Sequence, residues 1–162
     1  MANQTIHVSD TQRSIAALDA LLHGERSAVE TYEHAIARFT GEAPVELTDC
    51  LRSHLMRVDR LVMRIRELGG EAAMTSGMWG TFARLVGNGA ALFGRKSAVA
   101  ALEEGEDLGL RMYEDHLDDL DPESRNLVVG ELQFEQRSTH AMMGVLRSRL
   151  LNHPKPPTRS QP

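Results

Sequence analysis

The sequence predicts an all-α protein, an antiparallel bundle of four helices built as two pseudo-twofold hairpins joined by a long crossover. Three observations predict it. Apolar residues recur at spacings of three and four through four long segments, the signature of one buried helical face. Aromatic residues make up only 4% of the chain, while the good helix formers Leu, Ala, Met, Glu and Arg abound. Short turns separate the segments within each pair, and one long glycine-rich stretch separates the pairs. At 162 residues with 41% hydrophobic content, the chain suits one domain with its own core.

The first helix is expected from about Thr11 to Phe39, with Leu18, Leu21, Leu22, Ala28, Val29, Tyr32 and Ile36 along one face. Residues 1–10 are polar and read as a flexible N-terminus ahead of a bundle domain spanning 11–151. Gly41 closes the first helix. Pro44 suits the first position of the second, which carries Leu47, Leu51, Val58, Leu61 and Ile65 and stops at Gly69-Gly70. The third is expected from Ser97 to Leu120. The fourth has Asp121 as N-cap, Pro122 behind it and Glu123 in its first turn, and runs to Leu151. Residues 152–162 read as a disordered, proline-rich tail. Between helices two and three, residues 69–96 hold Trp79, Phe82, Val86 and Phe93, which predict a crossover with a short amphipathic helix near 78–92. Two hairpins joined by one long crossover is the connectivity of ferritin-like bundles.

The hairpins resemble each other. Leu21-x-x-Gly24-Glu25 leads to Tyr32-Glu33 and Ile36, and Leu102-x-x-Gly105-Glu106 leads to Tyr113-Glu114 and Leu117, at a constant offset of 81 residues. Generic heptad patterning accounts for the Leu, Ile and Tyr matches but not for the paired Gly-Glu. Gly24-Glu25-x6-Tyr32 resembles the first-helix motif of rubrerythrins. With Leu68-Gly69-Gly70-Glu71, the Trp-bearing crossover and Glu104-Gly105-Glu106-Asp107, residues 15–150 also resemble a bacterial ferritin-like family of unknown function. The resemblance implies the ferritin-like fold and, through the rubrerythrin motif, a metal-ligand position at Glu25.

A di-iron bundle draws one Glu from each of two helices and a Glu-x-x-His from each of the other two. Glu25 and Glu106 fit the lone-Glu positions on their apolar stripes. Neither remaining helix contains Glu-x-x-His; the triplets ending in histidine are Leu51-x-x-His54 and Arg137-x-x-His140. Carrying the offset of 81 forward pairs His54 with Glu135 and Asp59 with His140, and no register yields a full set. Three readings stay open: a degenerate site whose carboxylates are held by arginine or histidine, with Arg57, Arg60 and Arg137 in reach; a plain structural role; or a mononuclear or altered metal site drawn from Glu25, Glu106, His54, Glu135 and His140, with iron or manganese as the metal.

The net charge of −5 argues against a nucleic-acid partner. A single cysteine, Cys50, rules out an internal disulfide and a CxxC zinc site; its neighbourhood reads as core and not as a nucleophile. No signal-like or membrane-length apolar run is present, so a cytoplasmic protein is expected. The sequence favours a non-catalytic helical-bundle protein acting by binding or assembly, without a resident cofactor. The alternatives are a metal-binding protein in iron or manganese handling or oxidoreduction, and a helical adaptor. In the last, the crossover aromatics dock a partner or a second copy.

Overall fold

The computed structural model describes residues 2–37, 39, 41–75 and 95–152, with side chains from Asp10 onward. Helix α1 (Ala2–Ile36) is followed by α2 (Val45–Glu67), α3 (Arg95–Asp115), a 3-10 turn (Leu117–Asp119) and α4 (Pro122–Leu127). A π-helical turn (Val128–Leu132) then joins α4 to α5 (Gln133–Asn152), so that α4, the π turn and α5 form one rod. Among the described residues there is no strand. The predicted crossover helix, its aromatics and the proline-rich tail lie outside the described residues.

The helix ends follow from local chemistry. Asp121 accepts from the backbone N–H groups of Glu123 and Ser124, both at 3.1 Å, with Pro122 behind it. The same carboxylate takes the Ser14 hydroxyl at 2.6 Å and an Arg64 nitrogen at 2.8 Å, pinning the second hairpin's turn to α1 and α2. Gly69, at φ 80°, ends α2 in the left-handed conformation that glycine adopts without strain. The N–H groups of Gly69 and Gly70 then close on the carbonyls of Arg66 and Ile65, both at 2.9 Å, which is a Schellman stop. Several boundaries differ from expectation, and α3 stops at Asp115, short of Leu120. α1 begins at Ala2, upstream of Thr11, and ends at Ile36, short of the buried Phe39. Pro44 is the N-cap residue of α2 and not its first helical position.

α1 packs chiefly on α2 and α3 chiefly on α5, while α1–α3 and α2–α5 contacts close the square. The core falls into two apolar halves. One holds Leu18, Leu22, Leu61, Ile65, Val128 and Leu132. The other holds Phe39, Leu47, Val99, Leu102, Met143 and Leu146. Each of these side chains is at most 9% exposed, and their burial is the main favourable term in folding. Between the halves lies a polar layer.

A buried charged cluster at the centre of the bundle

Glu25 and Glu106, which the sequence places on the apolar stripes of α1 and α3, are 4% and 2% exposed. Each sits at the position of the other in its own hairpin, and each is served by the other hairpin's tyrosine. The Tyr113 hydroxyl donates to Glu25 Oε1 at 2.8 Å, and the Tyr32 hydroxyl donates to Glu106 Oε1 at 2.5 Å. This exchange is the repeat in three dimensions. It also shows that α1 and α3 run antiparallel, since residue 25 meets 113 and residue 32 meets 106.

α2 contributes two cations to the same layer. His54 lies between the carboxylates, Nδ1 at 2.7 Å from Glu25 Oε2 and Nε2 at 3.1 Å from Glu106 Oε1. Arg57, one turn on and 1% exposed, donates from Nε to Glu25 Oε2 at 3.0 Å. Spacing of three on a helix brings both to one face. The fourth rod supplies neutral donors: Gln136 Nε2 reaches Glu106 Oε2 at 2.7 Å and the Glu106 carbonyl at 3.0 Å, and the Thr139 hydroxyl reaches Glu106 Oε2 at 2.7 Å.

Protonation follows from these contacts. Burial pushes the Glu25 carboxyl up, but Arg57, His54 and the Tyr113 hydroxyl outweigh it and bring its pKa down to about 2. Burial opposes ionisation of Glu106 too, and hydrogen bonds from His54, Tyr32 and Thr139 hold it below the usual carboxylate range. Burial disfavours a charged His54, yet Glu25 and Glu106 raise its pKa above the ordinary value despite Arg57 alongside. Both ring nitrogens face carboxylate oxygens, as an imidazolium requires. Both tyrosines are held well above their normal range, by burial first and then by the carboxylate each one serves. The layer therefore carries two carboxylates, one imidazolium and one guanidinium, and sums to zero. Arg57 Nη2 also stands 2.6 Å from His54 Nδ1, and the two residues share the Glu25 oxygen that both approach. Two atoms of this layer are buried without a protein partner, Arg57 Nη1 and Gln136 Oε1.

No family profile matches the sequence, and no curated protein matches it. Among solved structures, the chain is similar to one from Bacillus anthracis str. Ames described as "ferritin like, diiron-carboxylate proteins". The TM-score is 0.59 at 18% identity, over 88% of this chain and 96% of that one. The chain has the ferritin-like fold.

Within this ferritin-like bundle the structure unites Glu25, Glu106 and His54 and leaves Glu135 and His140 outside the cluster. Glu135 accepts from the Ser53 hydroxyl at 3.0 Å. His140 faces Asp107 at 2.7 Å near the surface. Asp59 is exposed, and Arg60 pairs with Glu131 on the outside of the bundle. The reason is register. His54 and Arg57 stand 29 and 32 residues beyond Glu25, whereas Gln136 and Thr139 stand 30 and 33 beyond Glu106. The offset of 81 that relates α1 to α3 becomes one residue larger in the second helix of each hairpin. The π turn Val128–Leu132 lies in the longer stretch, and a π turn takes up one residue more than an α turn. Among the described residues no group of three or more His, Cys, Asp or Glu side chains is set to hold a metal ion.

Gln136, with Thr139, belongs to the layer and is not among the candidates read from the sequence. Its signal was the Leu132, Gln136, Thr139, Met143 stripe, a four-three-four spacing that marks all four as inward. A search for ionisable ligands overlooks a neutral amide.

Proposed function

We propose that this is a non-catalytic ferritin-like helical-bundle protein whose metal site is degenerate, and that it acts by binding or assembly. The observation that carries this reading is the pair of cations between Glu25 and Glu106. In ferritin-like di-iron bundles the second and fourth helices each supply Glu-x-x-His to the metals. At the matching level this chain has His54-x-x-Arg57 and Gln136-x-x-Thr139. The residues present do not fit a di-iron centre. The donor set is two carboxylates and one imidazole, and the carboxylate oxygens are already taken. A guanidinium has no lone pair to offer a metal, and its charge opposes an incoming cation. Internal positive charge supplies the neutralisation that metal ions supply in a metalloprotein, and the proposed setting is the cytoplasm.

Two measurements test this. Iron, manganese and zinc measured together in the purified protein should each fall far below one ion per chain. The fourfold variant His54→Glu, Arg57→His, Gln136→Glu, Thr139→His rebuilds Glu-x-x-His on both helices and should gain ferrous or manganous binding that the natural chain lacks. Stoichiometric iron in the natural chain would refute the reading. So would a folded fourfold variant that binds no better than the parent.

A further inference from the structure

A cleft runs between α1 and α3, walled by Gly24, Ala28, Leu108 and Met112. Its floor is formed by Glu25, His54, Tyr113 and Gln136. The space in it open to a water-sized group measures about 30 Å³. That is room for a hydroxyl and the carbon bearing it, since a single water needs about 10–15 Å³. Glycine lets the Gln136 amide pack against α3 at the floor of the cleft: a Cβ on Gly109, which also lines it, would lie 2.6 Å from Gln136 Nε2 and 3.2 Å from Gln136 Oε1.

The floor has a defined hydrogen-bonding character. The donors there are spent: the Tyr113 hydroxyl on Glu25, both His54 nitrogens on the carboxylates, and Gln136 Nε2 on Glu106. One acceptor is not. Gln136 is 1% exposed, and its Oε1 is buried without a protein partner, a situation that costs free energy unless a donor reaches it. A ligand here must donate. Because the charges of the layer already cancel, a neutral donor is admitted at least cost, whereas an added ion would be buried unpaired. The apolar walls call for an apolar body behind the donor.

We propose that this cleft binds a small neutral alcohol, its hydroxyl donating to Gln136 Oε1 and its alkyl chain lying between Leu108 and Met112. This inference stands on the cleft and the amide, and is independent of how the charged layer arose. Water shares the hydroxyl chemistry, so the test separates the two. The full chain is titrated with 1-butanol, with its isomer diethyl ether, which accepts but cannot donate, and with butylammonium, while the methyl resonances of Leu108 and Met112 are followed by NMR. The expected result is saturable shifts with 1-butanol and affinities at least tenfold weaker for the other two. Gln136→Met should weaken 1-butanol about tenfold, the value of one hydrogen bond. Ala28→Phe, which blocks the wall without touching the charged layer, should abolish the shifts and serves if Gln136→Met does not fold. Diethyl ether binding as tightly as 1-butanol would overturn the proposal. So would shifts that never saturate, or butanol-soaked crystals with only water on Gln136 Oε1.

Discussion

Arg57→Met removes the guanidinium from the centre of the bundle while keeping most of the side-chain volume. Glu25 and Glu106 are then left with His54 alone, and a layer that summed to zero carries one uncompensated negative charge. Breaking a buried ion pair by deleting one partner costs about 3–5 kcal/mol. One feature of this site points to the lower end: Arg57 Nη1 has no protein partner to lose. A loss of about 3 kcal/mol corresponds to a melting point about 6–12 °C lower for a chain of this size. The assay is thermal unfolding by circular dichroism at pH 6, on the parent, Arg57→Met, Glu25→Gln and the double variant. Glu25→Gln in the Arg57→Met background restores the charge balance between His54 and Glu106, so the double variant should melt well above the sum of the two losses, with a coupling of about 1 kcal/mol or more. A single-variant loss under about 2 °C, or strict additivity, would refute the claim that charge balance holds this layer together.

The remaining predictions use the same contacts. Glu25 and Glu106 titrate below their ordinary value of 4.5, so their contribution is present above that pH and is lost as pH falls through their folded values, about 2 for Glu25. His54 titrates above its ordinary 6.5, so its contribution is full below that pH and is lost as pH rises through its folded value. Urea midpoints should therefore peak between about pH 4.5 and 6.5, and His54→Gln should flatten the alkaline limb; a parent profile level from pH 6 to 9 would count against a charged His54. Burial, with Glu106 nearby, pushes the Cys50 thiol up to about 12. A disulfide reagent should label it on unfolding and not in the native protein at pH 8, and prompt native labelling would contradict that burial. Gly109→Ala sets a Cβ 2.6 Å from the Gln136 amide and should cost about 1–3 kcal/mol by chemical denaturation. Gly24→Ala meets only the flexible end of Met112 and should cost less; the reverse order would show that the amide yields freely.

The sequence by itself determined the helices, the pairing into hairpins and the identity of the central carboxylates. These are local or periodic properties. Apolar spacing marks an inward face wherever a helix packs, Asp121-Pro122 caps whatever follows it, and Gly69 stops a helix because of its own backbone freedom. Glu25 and Glu106 were legible because Gly-Glu and the following Tyr recur at a constant offset within the first helix of each hairpin. Arg57 was legible only as one of three arginines, with Arg60 and Arg137, in reach of the carboxylates. Only the tertiary structure decided that Tyr32 serves Glu106 while Tyr113 serves Glu25, since which helix lies opposite is a property of the packed bundle. It also decided that Gln136 and Thr139, and not Glu135 and His140, complete the layer. Side chains one position apart on an α-helix point about 100° apart, so a single added residue before α5 turns one set inward and the other toward solvent. A π turn lies in that stretch, a backbone rearrangement with no side-chain pattern of its own to announce it.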